Sequence, residues 1–247
     1  MTIEAIFVRS AAGAGDLPRD GLAEIALVGR SNVGKSSLIN ALVRRTIART
    51  SGAPGKTRLA NLYRVRHGAG PAFYLVDVPG YGFARGDRTE LETAARAYFW
   101  RDRPEGQERP GAPPGFVSVL LLVDARHPGL AIDGDAWRWL RSIGVRAAVV
   151  ATKMDKLARG QRIRATGVLE SVFDGPVVPV SAVTGEGLDE LWTLIDRLAN
   201  TSSRLPRPSP GAATAPTKAR PTPQPGRKRR TSGTGAPRRS SGSTSRR

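Results

Sequence analysis

The 247-residue chain has no cysteine, which excludes disulfides, thiolate metal centres and prenyl or palmitoyl anchors. Long apolar runs are missing too. The longest, Val117 to Val123, is far short of the roughly 20 residues a membrane-crossing helix needs, and it contains Ser118. The N-terminus carries Glu4 where a secretion signal would be basic. These absences predict a cytoplasmic protein with no membrane partner. Acid is absent from one end of the chain: all 21 Asp and Glu precede residue 201, whereas 12 of the 39 Lys and Arg follow it. That end, residues 201–247, has one Leu and no aromatic residue among its Pro, Ser, Thr, Gly and Arg. It cannot bury enough apolar surface to offset the entropy of ordering, so it reads as a disordered basic tail. Residues 1–200 read as one α/β domain, with its core at about 22–199.

What is present is a phosphate-binding pattern, G-x-x-x-x-G-K-[ST], formed by Gly29, Arg30, Ser31, Asn32, Val33, Gly34, Lys35 and Ser36. The apolar run Ile25 to Val28 before it predicts a buried strand, and Ser37 to Leu42 after it has helical periodicity. In this setting backbone N–H groups wrap the phosphates and the new helix points its positive end at them. Gly29 and Gly34 allow that close approach. Lys35 supplies a cation for the β and γ phosphates, and the Ser36 hydroxyl a ligand for Mg²⁺.

Further apolar runs at Ala72–Val76, Val117–Val123, Val145–Ala151 and Val177–Val180 alternate with expected helices at Thr89–Trp100, Asp133–Ile143, Gln161–Phe173 and Leu188–Ala199. Strand and helix alternation predicts a mostly parallel sheet with helices on both faces. Ligands of such sheets bind beyond the carboxyl ends of the strands. There the chain places Asp77, Val78, Pro79 and Gly80, then Thr152, Lys153, Met154 and Asp155, then Val180, Ser181 and Ala182. Asp77 can hold a Mg²⁺-bound water, or simply cap a helix, and the Gly80 N–H can meet a γ phosphate. Asp155 offers two carboxylate oxygens to the ring N–H and amino group of guanine, a donor pair adenine lacks, so GTP and GDP are favoured over ATP. Between the phosphate loop and Asp77 lies a polar loop containing Gly55, Lys56, Thr57, Arg58 and Leu59. Thr57 is the first choice for a second hydroxyl on Mg²⁺, Thr50 the second choice, and a solvated turn the alternative.

Four turns in this order resemble a P-loop NTPase G domain of the translation-factor type. The combination Gly-Arg-Ser-Asn-Val-Gly-Lys-Ser-Ser-Leu-Ile-Asn at 29–40, Pro-Gly-Lys-Thr at 54–57, Asp-Val-Pro-Gly-Tyr-Gly at 77–82, Asp-Ala-Arg-His-Pro at 124–128 and Thr-Lys-Met-Asp at 152–155 resembles the EngB (YihA/YsxC) GTPases over about residues 5–200. The resemblance implies a monomeric GTPase that assists assembly of the large ribosomal subunit, contacts its RNA and proteins, and is associated with cell division and septation. It also implies that the Lys153 stem lies over the base and that Ser181-Ala182 give it backbone contacts. Two positions depart from the usual G domain. Thr152 stands where most have Asn, and Tyr81 where signalling GTPases have a water-orienting Gln. Catalysis would then rest on Lys35, Thr57, Gly80 and Asn32, the last either as a K⁺ ligand beside the phosphates or as a brace of the loop. Competing readings are a P-loop ATPase or kinase, and an RNA-binding protein whose tail makes the contact while the G domain regulates it.

Overall fold

The computed structural model describes residues 1–11, 14–48, 60–81, 98–99 and 117–203. Among these residues seven strands form one sheet: β1 (Ile3–Ala11), β2 (Ala23–Gly29), β3 (Ala60–His67), β4 (Phe73–Asp77), β5 (Val117–Asp124), β6 (Arg146–Thr152) and β7 (Val177–Pro179). Their order is β1-β3-β4-β2-β5-β6-β7. Only β3 runs against the rest, because it is antiparallel to both β1 and β4 while the other pairings are parallel.

Burial follows the period of two that a strand imposes. Ile25, Leu27, Leu120 and Leu122 face α1 (Lys35–Val43) and the C-terminal helix α4 (Leu188–Ser203), meeting Leu38, Ile39, Leu42, Leu191 and Ile195. Ala26, Val28, Val119, Leu121 and Val123 face the opposite side, where α2 (Ala131–Ser142) and α3 (Arg159–Phe173) contribute Ala136, Leu140, Leu169 and Phe173. With both faces covered, β2 and β5 are buried along their whole length, which is why they read as unbroken apolar runs. This is the expected α/β architecture, a mostly parallel sheet between helical layers.

The differences from the sequence reading have physical causes. Strands β1 and β3 are absent from the apolar runs named above: β3 alternates polar with apolar residues, as at Arg64 and Arg66, and β1 carries only the short run Ala5 to Val8, of which Ile6 and Phe7 are exposed. Of the helix expected at Thr89–Trp100, only Tyr98 and Phe99 lie among the described residues; both are helical and buried. Helix α4 continues through Ser203, so the first three residues assigned to the tail are its last turn. Trp137 and Trp139, two apart on α2, both pack against the core. The Trp137 indole N–H donates to the Phe173 carbonyl at 3.0 Å, and the Trp139 ring lies 6.0 Å from Phe99. At the far end of β3, His67 stacks on Trp192 with centroids 4.1 Å apart and places Nδ1 2.7 Å from an Asp196 carboxylate oxygen, tying the β3 end to α4.

Candidate nucleotide site

The parallel strands deliver their last residues to one edge, and Gly29, Asp77, Asp124 and Thr152 are the terminal residues of β2, β4, β5 and β6. From β2 the chain turns through Arg30 to Gly34 and enters α1 at Lys35. Asn32 and Gly34 both take left-handed backbone, with φ of 62° and 109°. The N-cap of α1 is Gly34, which has no side chain to cap it, so among the described residues the loop closes on the positive end of the helix.

Inside the loop the Lys35 ammonium donates to the carbonyls of Gly29 at 3.1 Å and Arg30 at 3.5 Å. Burial lowers its pKa, and the Asp77 charge works against that. The Ser36 hydroxyl donates to Asp77 Oδ2 at 2.9 Å. Burial pushes the Asp77 carboxyl up, while Lys35 and the Ser36 hydroxyl hold it back. Among the described residues no three His, Cys, Asp or Glu side chains cluster as a metal site. The hard oxygens of Ser36 and Asp77 suit Mg²⁺, which the Ser36 hydroxyl could ligate directly and the Asp77 carboxylate could hold through a bound water.

The turn after β4 lies against this loop. The Ser31 N–H donates to the Tyr81 carbonyl at 3.0 Å, and a Cβ added to Gly80 would stand 2.8 Å from Ser31 N and 2.9 Å from Lys35 Nζ. Only glycine fits so close. Tyr81 turns its ring into the core, where its hydroxyl donates to Asp133 Oδ1 on α2 at 3.0 Å. Asp133 also receives the Arg30 Nε–H, at 3.1 and 3.2 Å.

At the other end of the site, the Thr152 hydroxyl donates to the Val33 carbonyl at 2.7 Å and lies 3.1 Å from the Val123 carbonyl. Thr152 thus ties β6 to the phosphate loop. Lys153, in left-handed backbone with φ of 63°, reaches across the edge to the Asn32 carbonyl at 2.5 Å and to Asp124 Oδ2 at 2.9 Å. Burial works to raise the Asp124 pKa, but hydrogen bonds from Arg126 and Lys153 outweigh it and hold the carboxyl well below its usual range. Met154 and Asp155 begin a short 3₁₀ turn, and the Met154 N–H donates to the Val180 carbonyl at 3.2 Å. The Ser181 hydroxyl donates to Asp155 Oδ1 at 2.8 Å and accepts the N–H groups of Val183 and Thr184 at 3.2 and 3.1 Å. That hydrogen bond, ahead of the Lys156 charge 3.4 Å away, lowers the Asp155 pKa.

The structure therefore brings Gly29 to Ser36, Asp77 to Gly80, Thr152 to Asp155, and Val180 to Ala182 to one edge. Thr50, Gly55, Lys56, Thr57, Arg58 and Leu59 lie outside the described residues. Asp133 escaped the sequence reading, as did the role of Asp124 in holding Lys153. Asp124 had a signal, because it ends an apolar run as Asp77 does. Asp133 had none.

Comparison with known proteins gives the family and the fold. The family model described as 50S ribosome-binding GTPase matches residues 24–106. The Probable GTP-binding protein EngB of Pelotomaculum thermopropionicum is 41% identical over 203 residues, covering 80% of this chain and 96% of that protein. Its counterpart in Clostridioides difficile is 40% identical over 190 residues, covering 74% and 87%. Among solved structures, Aquifex aeolicus Era Y63A bound to GDP·AlF4⁻ matches with a TM-score of 0.56 at 22% identity, covering 72% of this chain and 56% of that one. A bacterial selenocysteine-specific elongation factor matches with a TM-score of 0.53 at 20% identity, covering 73% and 29%. These structures share the fold. The protein relatives, at about two fifths identity over nearly their full length, go further: the chain belongs to the EngB family of GTP-binding proteins and is a GTPase.

Proposed function

We propose that this GTPase holds GTP or GDP along the carboxyl edge of the sheet and acts as a switch in assembly of the large ribosomal subunit, with the link to cell division and septation that the family resemblance implies. The observation that carries the nucleotide part is the convergence of four separate turns on that edge. In this reading the loop Gly29 to Ser36 wraps the phosphates and Lys35 neutralises them. Ser36 and Thr57 ligate Mg²⁺, and Asp77 orients its water. Gly80 reports the γ phosphate. Lys153 covers the base, Asp155 reads its edge, and Ser181-Ala182 close over it. Mg²⁺, which GTPases of this kind use, supplies charge neutralisation between the phosphates. The Tyr81 hydroxyl is committed to Asp133, so water positioning falls to other groups and intrinsic hydrolysis is slow.

The ribosomal part is supported by the description of the matching family model and by the basic tail. Nucleotide exchange and hydrolysis measured with and without large ribosomal subunits test it. GTP-dependent retention on the subunits with faster turnover is expected; no retention in either nucleotide state and unchanged turnover would overturn it. In the same reading the protein acts as a monomer in the cytoplasm; among the described residues no helix is long and apolar enough to cross a membrane.

Hydrolysis should depend on K⁺ held by Asn32. Exchanging KCl for NaCl at equal ionic strength should slow turnover several-fold, since a cation there offsets developing charge. Because Asn32 sits at φ 62°, Asn32→Gly removes the side chain without backbone strain and is the better variant. Its turnover should be equal in the two salts; equal rates in the unsubstituted protein would return Asn32 to bracing the loop.

The tail should act as an electrostatic anchor on RNA, given its 12 cationic residues and lack of acid. Each neutralised phosphate adds about −0.7 to the log-log salt slope on single strands. Removing residues 204–247 should weaken RNA binding and flatten that slope while leaving GTP affinity unchanged. Coincident slopes for full-length and truncated protein would make the tail a solvated extension.

A further inference from the structure

We infer that Asp133, on α2, sets the preference between GDP and GTP by latching the Asp77–Tyr81 turn onto the phosphate loop. The inference rests on the nucleotide site proposed above and adds to it a positioning residue that no motif contains.

The latch has a backbone part and a side-chain part. Arg30 and Tyr81 form a parallel bridge, and the Ser31 N–H donates to the Tyr81 carbonyl at 3.0 Å. Behind that bridge, Asp133 receives Arg30 Nε–H from the phosphate loop and Tyr81 O–H from the turn, at 3.1 and 3.0 Å. One carboxylate thus grips both segments. Its side chain is 3% exposed and Tyr81 is 2% exposed, so water competes little for these charge-assisted bonds.

In the proposed site the latched turn fills the space beside the loop donors that a third phosphate would use. Even a methyl carbon at Gly80 would come within 2.9 Å of Lys35 Nζ and closer still to Ser31 N, and a phosphoryl group is larger than a methyl. Its oxygens would need the same Lys35 ammonium and Ser31 N–H that the turn now covers. A diphosphate ends one group short of this point. Closure is therefore compatible with GDP, whereas GTP must lift Gly80 and Tyr81 away. Whatever free energy the Asp133 contacts contribute to closure is subtracted from GTP binding alone.

The test uses Tyr81→Phe and Asp133→Asn in the full-length chain, titrated with GDP and with a non-hydrolysable GTP analogue. Loss of a buried hydrogen bond to a carboxylate should shift the affinity ratio toward the GTP analogue about tenfold in Tyr81→Phe, with GDP affinity little changed. Amide exchange at residues 78–81 of the GDP-bound protein should accelerate in the same variant. A purely structural Asp133 would lower stability yet leave the ratio unchanged, and an unchanged ratio overturns the inference. If Asp133→Asn fails to fold, Tyr81→Phe, which keeps the Arg30 contact and the backbone bridge, decides alone. If the unsubstituted protein binds neither nucleotide, the site itself has been misplaced; if it binds both and only the ratio fails to move, the latch alone is wrong.

Discussion

Asp155→Asn should weaken GTP binding by about 10²-fold or more and improve binding of xanthosine triphosphate, reversing the preference between them. The Ser181 hydroxyl fixes one carboxylate oxygen of Asp155, and its hydrogen bond keeps the group ionised. A fixed, charged acceptor pair suits the ring N–H and amino group of guanine. Xanthine carries an oxygen in place of that amino group, which a carboxylate repels and an Asn amide can serve as donor. Ser181 can still donate to the remaining Asn oxygen, so the substitution changes recognition more than local structure. Competition between the two triphosphates measures the effect. An unchanged order of preference would take base recognition away from Asp155.

Gly187→Ala should destabilise the protein by about 3 kcal/mol or more, a size reserved for backbone conflict or core disruption. Gly187 lies at φ 76°, and a Cβ there would stand 2.0 Å from the Pro179 carbonyl oxygen and 3.3 Å from Val180 Cα. Both contacts are backbone, so no side chain can swing away. Something in the β7 exit or the start of α4 must shift. The same stretch holds Ser181, whose N–H donates to the Glu186 carbonyl at 3.0 Å, and through it Asp155. The variant should therefore lose guanine affinity along with stability. Urea unfolding of the nucleotide-free protein measures the first and GDP titration the second. A midpoint equal to that of the unsubstituted protein would show that the loop adapts.

Much of this site was legible because its parts are local. A strand buried on both faces reads as an apolar run, and the polar residue that ends it marks the sheet edge, as Asp77 and Thr152 do. Strand β3 was not legible by that rule, since it alternates and keeps Arg64 and Arg66 exposed, whereas β1 does hold the apolar run Ala5 to Val8 but leaves Ile6 and Phe7 exposed instead of burying both faces. Asp133 was illegible for another reason. Its partner Arg30 is 103 positions away, and an acid in the first turn of a helix reads as ordinary compensation of the helix dipole. Thr152 shows a third case. Most G domains have Asn at this position, but here a hydroxyl on the final residue of β6 reaches the Val33 carbonyl without the longer amide.

The contact of His67 with Trp192 and Asp196 bears on how the site can move. Register along the β3–β4 ribbon pairs Asn61 with Asp77 at one end and Val65 with Phe73 toward the other. His67, two residues beyond Val65, is moored to α4. A one-residue slip of the ribbon would unseat that mooring and would also carry Leu62 and Leu75 to the wrong faces. The ribbon is consequently a fixed rail. Displacement of Gly80 has to originate in backbone rotation within Val78 to Gly80, with Asp77 as the stationary pivot. A chemical cross-link that pinned β3 to α4 should therefore leave nucleotide exchange intact, whereas one spanning Val78 and Tyr81 should arrest it.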